Sequence, residues 1–227
     1  MSLLVAEVFG PTFQGEGPST GQRAAFLRLS RCNLTCAWCD TPETWDTSRF
    51  DLASITRRMT ESEVLHEVLA VPTPLVVITG GEPLLQQDRL VWLADMLRAH
   101  RRRVEVETNG TVVPSGGLLA AVKHWNVSPK LANSGVPYGK RINPEALRAF
   151  ASSQRAVFKF VVEQPTDLEE VAKLEAEHGL GPIWVMPQAT TASKVIASMR
   201  EIANETLSRG WNLSTRLHIL LEGTDAR

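Results

Sequence analysis

The stretch AAFLRLSRCNLTCAWCDT, residues 24–41, runs from an apolar segment straight into three cysteines and an Asp-Thr pair. The first part, AAFLRLS (24–30), is short and almost continuously apolar. It reads as a strand buried on both faces, the habit of strands in parallel sheets. The cysteines stand at 32, 36 and 39, a C-x3-C-x2-C spacing, and they are the only three in 227 residues. They follow the carboxyl end of a predicted strand, where ligands gather in parallel α/β sheets.

Outward from this stretch the same kind of run recurs. PLVVITG (74–80), VEVET (104–108), WNVS (125–128), VFKFVV (157–162), IWVM (183–186) and LHILL (217–221) are all predicted strands. Helix signals fall between them. Thr60 with Glu63, and Thr166 with Glu169, have the spacing of capping boxes. Asn143-Pro144 opens EALRAF with proline at the first helical position, and Gly179 and Gly210 sit where helix C-terminal glycines belong. Val195, Ile196, Met199, Ile202, Ala203 and Leu207 form one apolar stripe, read as core. Strand–helix alternation predicts an α/β fold, a parallel sheet with helical crossovers, in one domain spanning 1–227. The pattern leaves open whether the sheet stays flat or curls.

Composition narrows the function. A formal net charge of −1 provides no field to attract nucleic acid or an anionic membrane. The basic run Arg101-Arg102-Arg103 is read as solvated. MSLLVAEVFG has no charged leader and reaches Glu7 early, and no apolar stretch of about 18 residues occurs. A cytoplasmic location is therefore expected, with no membrane and no nucleic acid among the partners. Residues 42–59 read as a long loop containing Trp45 and Asp46, a candidate lid.

The cysteines admit three readings. A disulfide would strand one thiol. A structural zinc wants four ligands, and none of the histidines at 66, 100, 124, 178 and 218 is close in sequence. A four-iron–four-sulfur cluster held by three thiolates leaves one iron open. The other predicted strand ends carry TGGEP (79–83), ETNG (107–110), SPK (128–130) and MPQ (186–188). Glycines at 80 and 81 allow close backbone approach, and Glu82 offers an acceptor for an ammonium group. Glu107 suits ribose hydroxyls or the cap of a turn. Arg28 lies within an apolar strand and needs a partner, either a ligand or a structural carboxylate. His218 is read as a core histidine.

The triplet with an aromatic before its last cysteine, beside TGGEP, resembles the radical S-adenosylmethionine superfamily. With TFQGEG (12–17), ETNG, VSPK and the late LH (217–218), the chain closely resembles the 7-carboxy-7-deazaguanine synthase family, from about residue 5 to about 223. That resemblance implies a partial, TIM-like barrel. It also implies a lyase that contracts 6-carboxy-5,6,7,8-tetrahydropterin to 7-carboxy-7-deazaguanine, with loss of ammonia, toward queuosine and other deazapurines. The implied cofactors are a 4Fe-4S cluster on Cys32, Cys36 and Cys39, S-adenosylmethionine, and Mg2+ on Thr41.

By the same resemblance Trp38, Cys39 and Asp40 flank the cosubstrate's adenine, and Gly81, Ser128, Pro129, Lys130, Met186, Pro187 and Gln188 make its other contacts. Phe13, Gln14, Gly15, Arg28 and Thr79 hold the pterin. Gln14 and Glu16 suit its amide-like edge, and Arg28 its carboxylate. No residue is assigned to move the proton that accompanies ammonia loss. The resemblance further implies a homodimer and a flavodoxin or ferredoxin as electron donor. Family members often place a terminal carboxylate near the pterin; here the tail EGTDAR (222–227) runs nine residues past His218 and departs from that pattern. Two alternatives stand beside it. A glycyl-radical-activating enzyme shares the cysteine spacing but leaves TFQGEG unexplained. A non-catalytic iron–sulfur or zinc protein leaves TGGEP, ETNG and SPK idle.

Overall fold

Alternation of apolar and polar residues along the strands gives this molecule its two faces. A computed structural model describes residues 2–222. β1 (Leu3–Phe13) and β2 (Arg23–Leu29) form an antiparallel hairpin, and β3 (Arg57–Met59) pairs antiparallel with the other side of β1. From β2 onward the sheet is parallel: β4 (Leu75–Gly80), β5 (Arg103–Thr108), β6 (His124–Val127), β7 (Ala156–Val162), β8 (Ile183–Pro187) and β9 (Asn212–Leu213) add in turn. The full order is β3-β1-β2-β4-β5-β6-β7-β8-β9. After β2 the order never reverses, unlike a doubly wound sheet. Right-handed crossovers in one direction put the helices on one face, so the sheet curls into a partial TIM-like barrel.

The helices are α1 (Leu52–Ile55), α2 (Glu61–Ala70), α3 (Gln87–Ala99), α4 (Gly116–Ala121), α5 (Tyr138–Arg141), α6 (Pro144–Ser153), α7 (Asp167–His178), α8 (Ala192–Ser208) and α9 (Leu217–Glu222). The main core joins the outward strand residues Leu27, Ile78, Val106, Val127 and Phe160 to helix residues such as Leu93, Phe150 and Val171. Trp125 and Phe150 meet at 5.1 Å within it. The intervening strand positions carry Arg28, Thr79, Glu105, Glu107, Asn126 and Lys159. Their side chains belong to the inner face, because successive strand residues point opposite ways.

Several expectations hold. Thr60 and Glu63 form a reciprocal capping box, and Asn143 accepts from the amides of Glu145 and Ala146. Gly179 caps α7 in the left-handed region at φ +62°.

Others are corrected. LHILL is a helical turn, α9, and the last strand is Asn212–Leu213: Ile219 packs against Ala189 and Val195 instead of entering the sheet. The sheet is not parallel throughout, since β1, unassigned in the sequence, forms a hairpin with β2. Thr166 makes no capping bond; Asp167 accepts from the amides of Glu163 and Gln164 instead. The α8 stripe is only partly core, with Val195 and Ile202 buried but Ile196 and Leu207 exposed. Of the arginine run, Arg102 donates to the carbonyls of Thr73 and Leu69, and Arg103 to Ser19 and Gln22, so solvation describes Arg101 alone. Residues 42–59 are not a structureless loop: they contain α1 and β3.

Gly80 fixes the spacing between β2 and β4. Its φ is +135°, and a Cβ there would lie 2.1 Å from the Leu29 carbonyl oxygen. Gly80→Ala is expected to destabilise by about 3 kcal/mol, combining backbone strain with overpacking. Gly117→Ala, in α4 with only a Val91 methyl at 3.6 Å, is expected to be neutral or slightly stabilising. Urea unfolding of both variants checks this; equal midpoints would reject the close-approach account.

Candidate active site

The carboxyl ends of the parallel strands open onto one cleft of about 1050 Å³. From the end of β2 come Cys32, Cys36, Trp38, Cys39, Asp40 and Thr41, all lining it. Across from them the hairpin loop contributes Phe13, Gln14, Gly15 and Glu16, with Arg28 and Thr79 from the strands beside it. Gly81, Glu107, Ser128, Lys130, Met186 and Gln188 complete the sequence-predicted set. Glu82, Pro129 and Pro187 are not among the lining residues.

Glu82 is held by its own neighbours. It is fully buried, and its carboxylate accepts from the Leu84 amide at 3.0 Å, the Thr108 hydroxyl at 2.7 Å and the Asn109 amide at 2.7 Å. Burial pushes its carboxyl above the usual range, against the pull of those donors. The side chain ties the TGGEP turn to the ETNG turn. Gly81 presents only backbone, and a Cβ there would lie 2.0 Å from the Arg31 carbonyl oxygen. The two glycines thus press the turn onto the exit of β2, beside Cys32.

The cysteines are not paired with one another. Burial raises the Cys32 thiol to about 11 and also raises Cys36. The Leu34 amide donates to Cys32 Sγ at 3.4 Å, and Trp45 Nε1 donates to Cys39 Sγ at 3.3 Å. Such N–H···S contacts suit thiolates bound to an iron–sulfur cluster, and metal binding would displace the protons that burial retains. Among the described residues no group of three or more His, Cys, Asp or Glu is arranged to hold a single metal ion. Lys130 lies 5.5 Å from the Trp38 ring and donates to Ser128 Oγ at 2.9 Å.

The far end of the cleft is charged. Arg28 Nε donates to Glu7 Oε1 at 2.7 Å, and the guanidinium lies over Phe9 at 5.3 Å. Its Nη groups make no hydrogen bond among the described residues, so the partner expected for Arg28 is Glu7, with both terminal nitrogens and their four N–H donors left over. Gln14 donates to Glu107 at 3.0 Å and to Glu105 at 3.4 Å, while its oxygen accepts from the Glu16 amide at 3.3 Å. Thr79 donates to the other Glu107 oxygen at 2.8 Å. Glu107 therefore organises the inner face and caps no turn. Burial favours protonation of Glu16, but Lys159, Arg216 and His218 outweigh it and hold the carboxyl at about 2. Burial alone would lower Lys159, yet Glu16 and Glu107 keep its ammonium above the usual range.

Sequence reasoning missed Glu7, Lys159 and Arg216, and read His218 as core. His218 lines the cleft, 3.9 Å from Glu16, with burial lowering its imidazole. Lys159 had a signal, a charge inside the apolar run VFKFVV; Glu7 and Arg216 had none. The tail that departs from the family pattern falls at residues 223–227, outside the described residues.

Comparison with known proteins fits this geometry. The Radical SAM superfamily matches residues 27–136, from β2 through the cysteine loop and the glycine turn. Fold and site thus define a radical S-adenosylmethionine enzyme. Streptococcus suis SuiB bound to S-adenosylmethionine shares the fold at 13% identity and TM-score 0.53, over 80% of this chain and 44% of that one. QueE from Escherichia coli matches at TM-score 0.73 and 28% identity, over 96% of this chain and 95% of that one. A 7-carboxy-7-deazaguanine synthase from Pyrobaculum aerophilum is 37% identical over 97% of this chain and 95% of its own length. The chain belongs to the 7-carboxy-7-deazaguanine synthase family.

Glu82→Ala leaves three buried donors without an acceptor and is expected to cost about 3 kcal/mol, roughly 10 °C in Tm. Glu82→Gln, which retains one acceptor oxygen, should fall between. A melting temperature unchanged in the ligand-free protein would reject the bracing role.

Proposed function

We propose that this enzyme converts 6-carboxy-5,6,7,8-tetrahydropterin to 7-carboxy-7-deazaguanine by radical-mediated ring contraction with loss of ammonia, on the route to queuosine and related deazapurines. One cleft unites the cysteine loop with a cationic and hydrogen-bonding wall suited to a carboxylated pterin. This juxtaposition supports the reading over a glycyl-radical-activating role, which would leave Arg28 and the TFQGEG loop without work. The reading takes residues 1–227 as one domain, in keeping with a main core that runs from Leu3 to Trp211.

Cys32, Cys36 and Cys39 would hold the 4Fe-4S cluster. When bound, the cluster supplies the one-electron reduction that opens S-adenosylmethionine to radical chemistry. The residues around it bind and orient. Gly81 presents its backbone at the glycine turn, while Trp38, Ser128 and Lys130 form a stacked, hydrogen-bonded wall for the nucleoside part. The Arg28 Nη pair is suited to clamp the pterin carboxylate, because Glu7 engages Nε and leaves the terminal fork. Glu16, held ionised, accepts from N–H groups of the pterin's amide edge. Thr41 would provide one hard oxygen to Mg2+, which keeps waters and substrate oxygens as its other ligands. No helix of the described residues is long and apolar enough to cross a membrane. A homodimer and a flavodoxin or ferredoxin donor belong to the same reading, on family resemblance.

Anaerobically reconstituted protein given the carboxy-pterin, S-adenosylmethionine and a reductant should form the deazapurine, detected by mass. Formation of 5′-deoxyadenosine without it would reject this substrate. Arg28→Ala should raise KM for the pterin about tenfold or more, the worth of a charge-assisted bidentate contact. Cosubstrate cleavage without pterin should persist, and an unchanged KM would remove Arg28 from carboxylate binding.

A further inference from the structure

Arg216 stands just before α9 and is 3% exposed. Its three nitrogens face three separate segments. Nη1 donates to the Ala189 carbonyl at 2.6 Å, Nη2 to Asp40 Oδ2, and Nε to Glu16 Oε1 at 3.4 Å. Asp40 directly follows Cys39, and Glu16 belongs to the TFQGEG loop. The other Glu16 oxygen is taken by Lys159 Nζ from β7. A buried guanidinium is costly unless its donors are met, and here they are met by a carbonyl and by two carboxylates from separate segments that line one cleft. An ammonium holds its three donors on one atom, whereas the planar fork spreads five over three nitrogens and so spans partners set apart from one another.

We propose that Arg216 is a positioning residue that clasps the cysteine loop, through Asp40, to the substrate loop, through Glu16, and so sets the separation between the cosubstrate and pterin ends of the cleft. The inference rests on the proposed function for its catalytic consequence and on the contacts alone for its structural one. Hydrogen transfer between two bound molecules depends on their approach, and a misplacement of about 1 Å can cost on the order of 100-fold. Glu16, held at about 2, remains an anion across the working range, so the clasp stays charged.

Removing the guanidinium should not undock α9. The Leu217 amide donates to the Gly15 carbonyl at 2.8 Å, and Ile219 stays packed on Ala189 and Val195. Gly15 also lies close under His218: a Cβ there would come 2.0 Å from Nδ1. The freedom gained by an Arg216 variant therefore falls on the join between Asp40 and Glu16.

The test compares wild-type holoenzyme with Arg216→Gln and Arg216→Lys. Hydrogen exchange followed by mass spectrometry should show residues 14–17 and 36–41 exchanging about tenfold faster together in Arg216→Gln, the sign of a lost shared restraint, with Arg216→Lys intermediate. Iron content and cosubstrate affinity should stay at the wild-type level. With pterin present, the ratio of 5′-deoxyadenosine to deazapurine should rise at least about threefold in both variants as hydrogen transfer loses its alignment. Wild-type exchange rates in both loops would overturn the clasp. So would loosened loops with an unchanged ratio, or iron loss with the ratio unchanged. If Arg216→Gln does not fold, Arg216→Lys decides on the same readouts. Failure of the wild type to make any deazapurine would sink the substrate assignment, and the exchange result would still judge the clasp.

Discussion

Everything at this site follows from how closely the exit of β4 approaches the exit of β2. Gly80 and Gly81 lie against the backbone of Leu29 and Arg31, where a single added carbon would overlap carbonyl oxygens. The Gly81 and Glu82 amides donate to those same carbonyls, at 2.9 Å and 2.7 Å. Backbone meeting backbone gives the cysteine loop a rigid floor. Glu82 extends the bracing to the next strand, because its buried carboxylate stays in place only while the Thr108 and Asn109 donors satisfy it. Three strand ends thus become one platform.

The inner face of the barrel carries the complementary constraint. Arg28, Glu105, Glu107, Asn126 and Lys159 would each be costly in an apolar interior. Together they satisfy one another through Glu7, Gln14, Ser19 and Glu16. Such a network rigidifies the wall only when it is completely satisfied. It also divides the cleft into two chemical regimes. Near the cysteines, burial pushes the Cys32 and Cys36 thiols up. At the TFQGEG loop, cations hold Glu16 ionised.

Much of the fold could be read from particular residues. The runs around Ile78, Val106, Val127 and Phe160 announced buried parallel strands, and each is one. The polar residues interrupting those runs share a parity, so they had to share a face, a regularity the sequence reading did not use: Arg28 and Thr79 were placed by resemblance and Glu107 as a charge closing a strand. LHILL misled because five apolar residues do not distinguish a strand from a helical turn. β1 was missed because a long hairpin strand at the sheet margin has a mixed burial pattern rather than a continuous apolar one. His218 was read as core because nothing nearby in sequence hints that Glu16 and Arg216 surround it.

The sequence by itself determined the class of chemistry: the cysteine spacing, the glycine turn and the TFQGEG loop are local patterns, each written within a few consecutive residues. Tertiary structure alone decided who partners whom. Glu82 turned out to brace a turn, Glu7 to orient Arg28, and Arg216 to join Asp40 to Glu16 across 176 and 200 positions of chain. Electrostatic partnership depends on distance in space and on the dielectric around each charge, and neither is encoded in the spacing of residues along the chain.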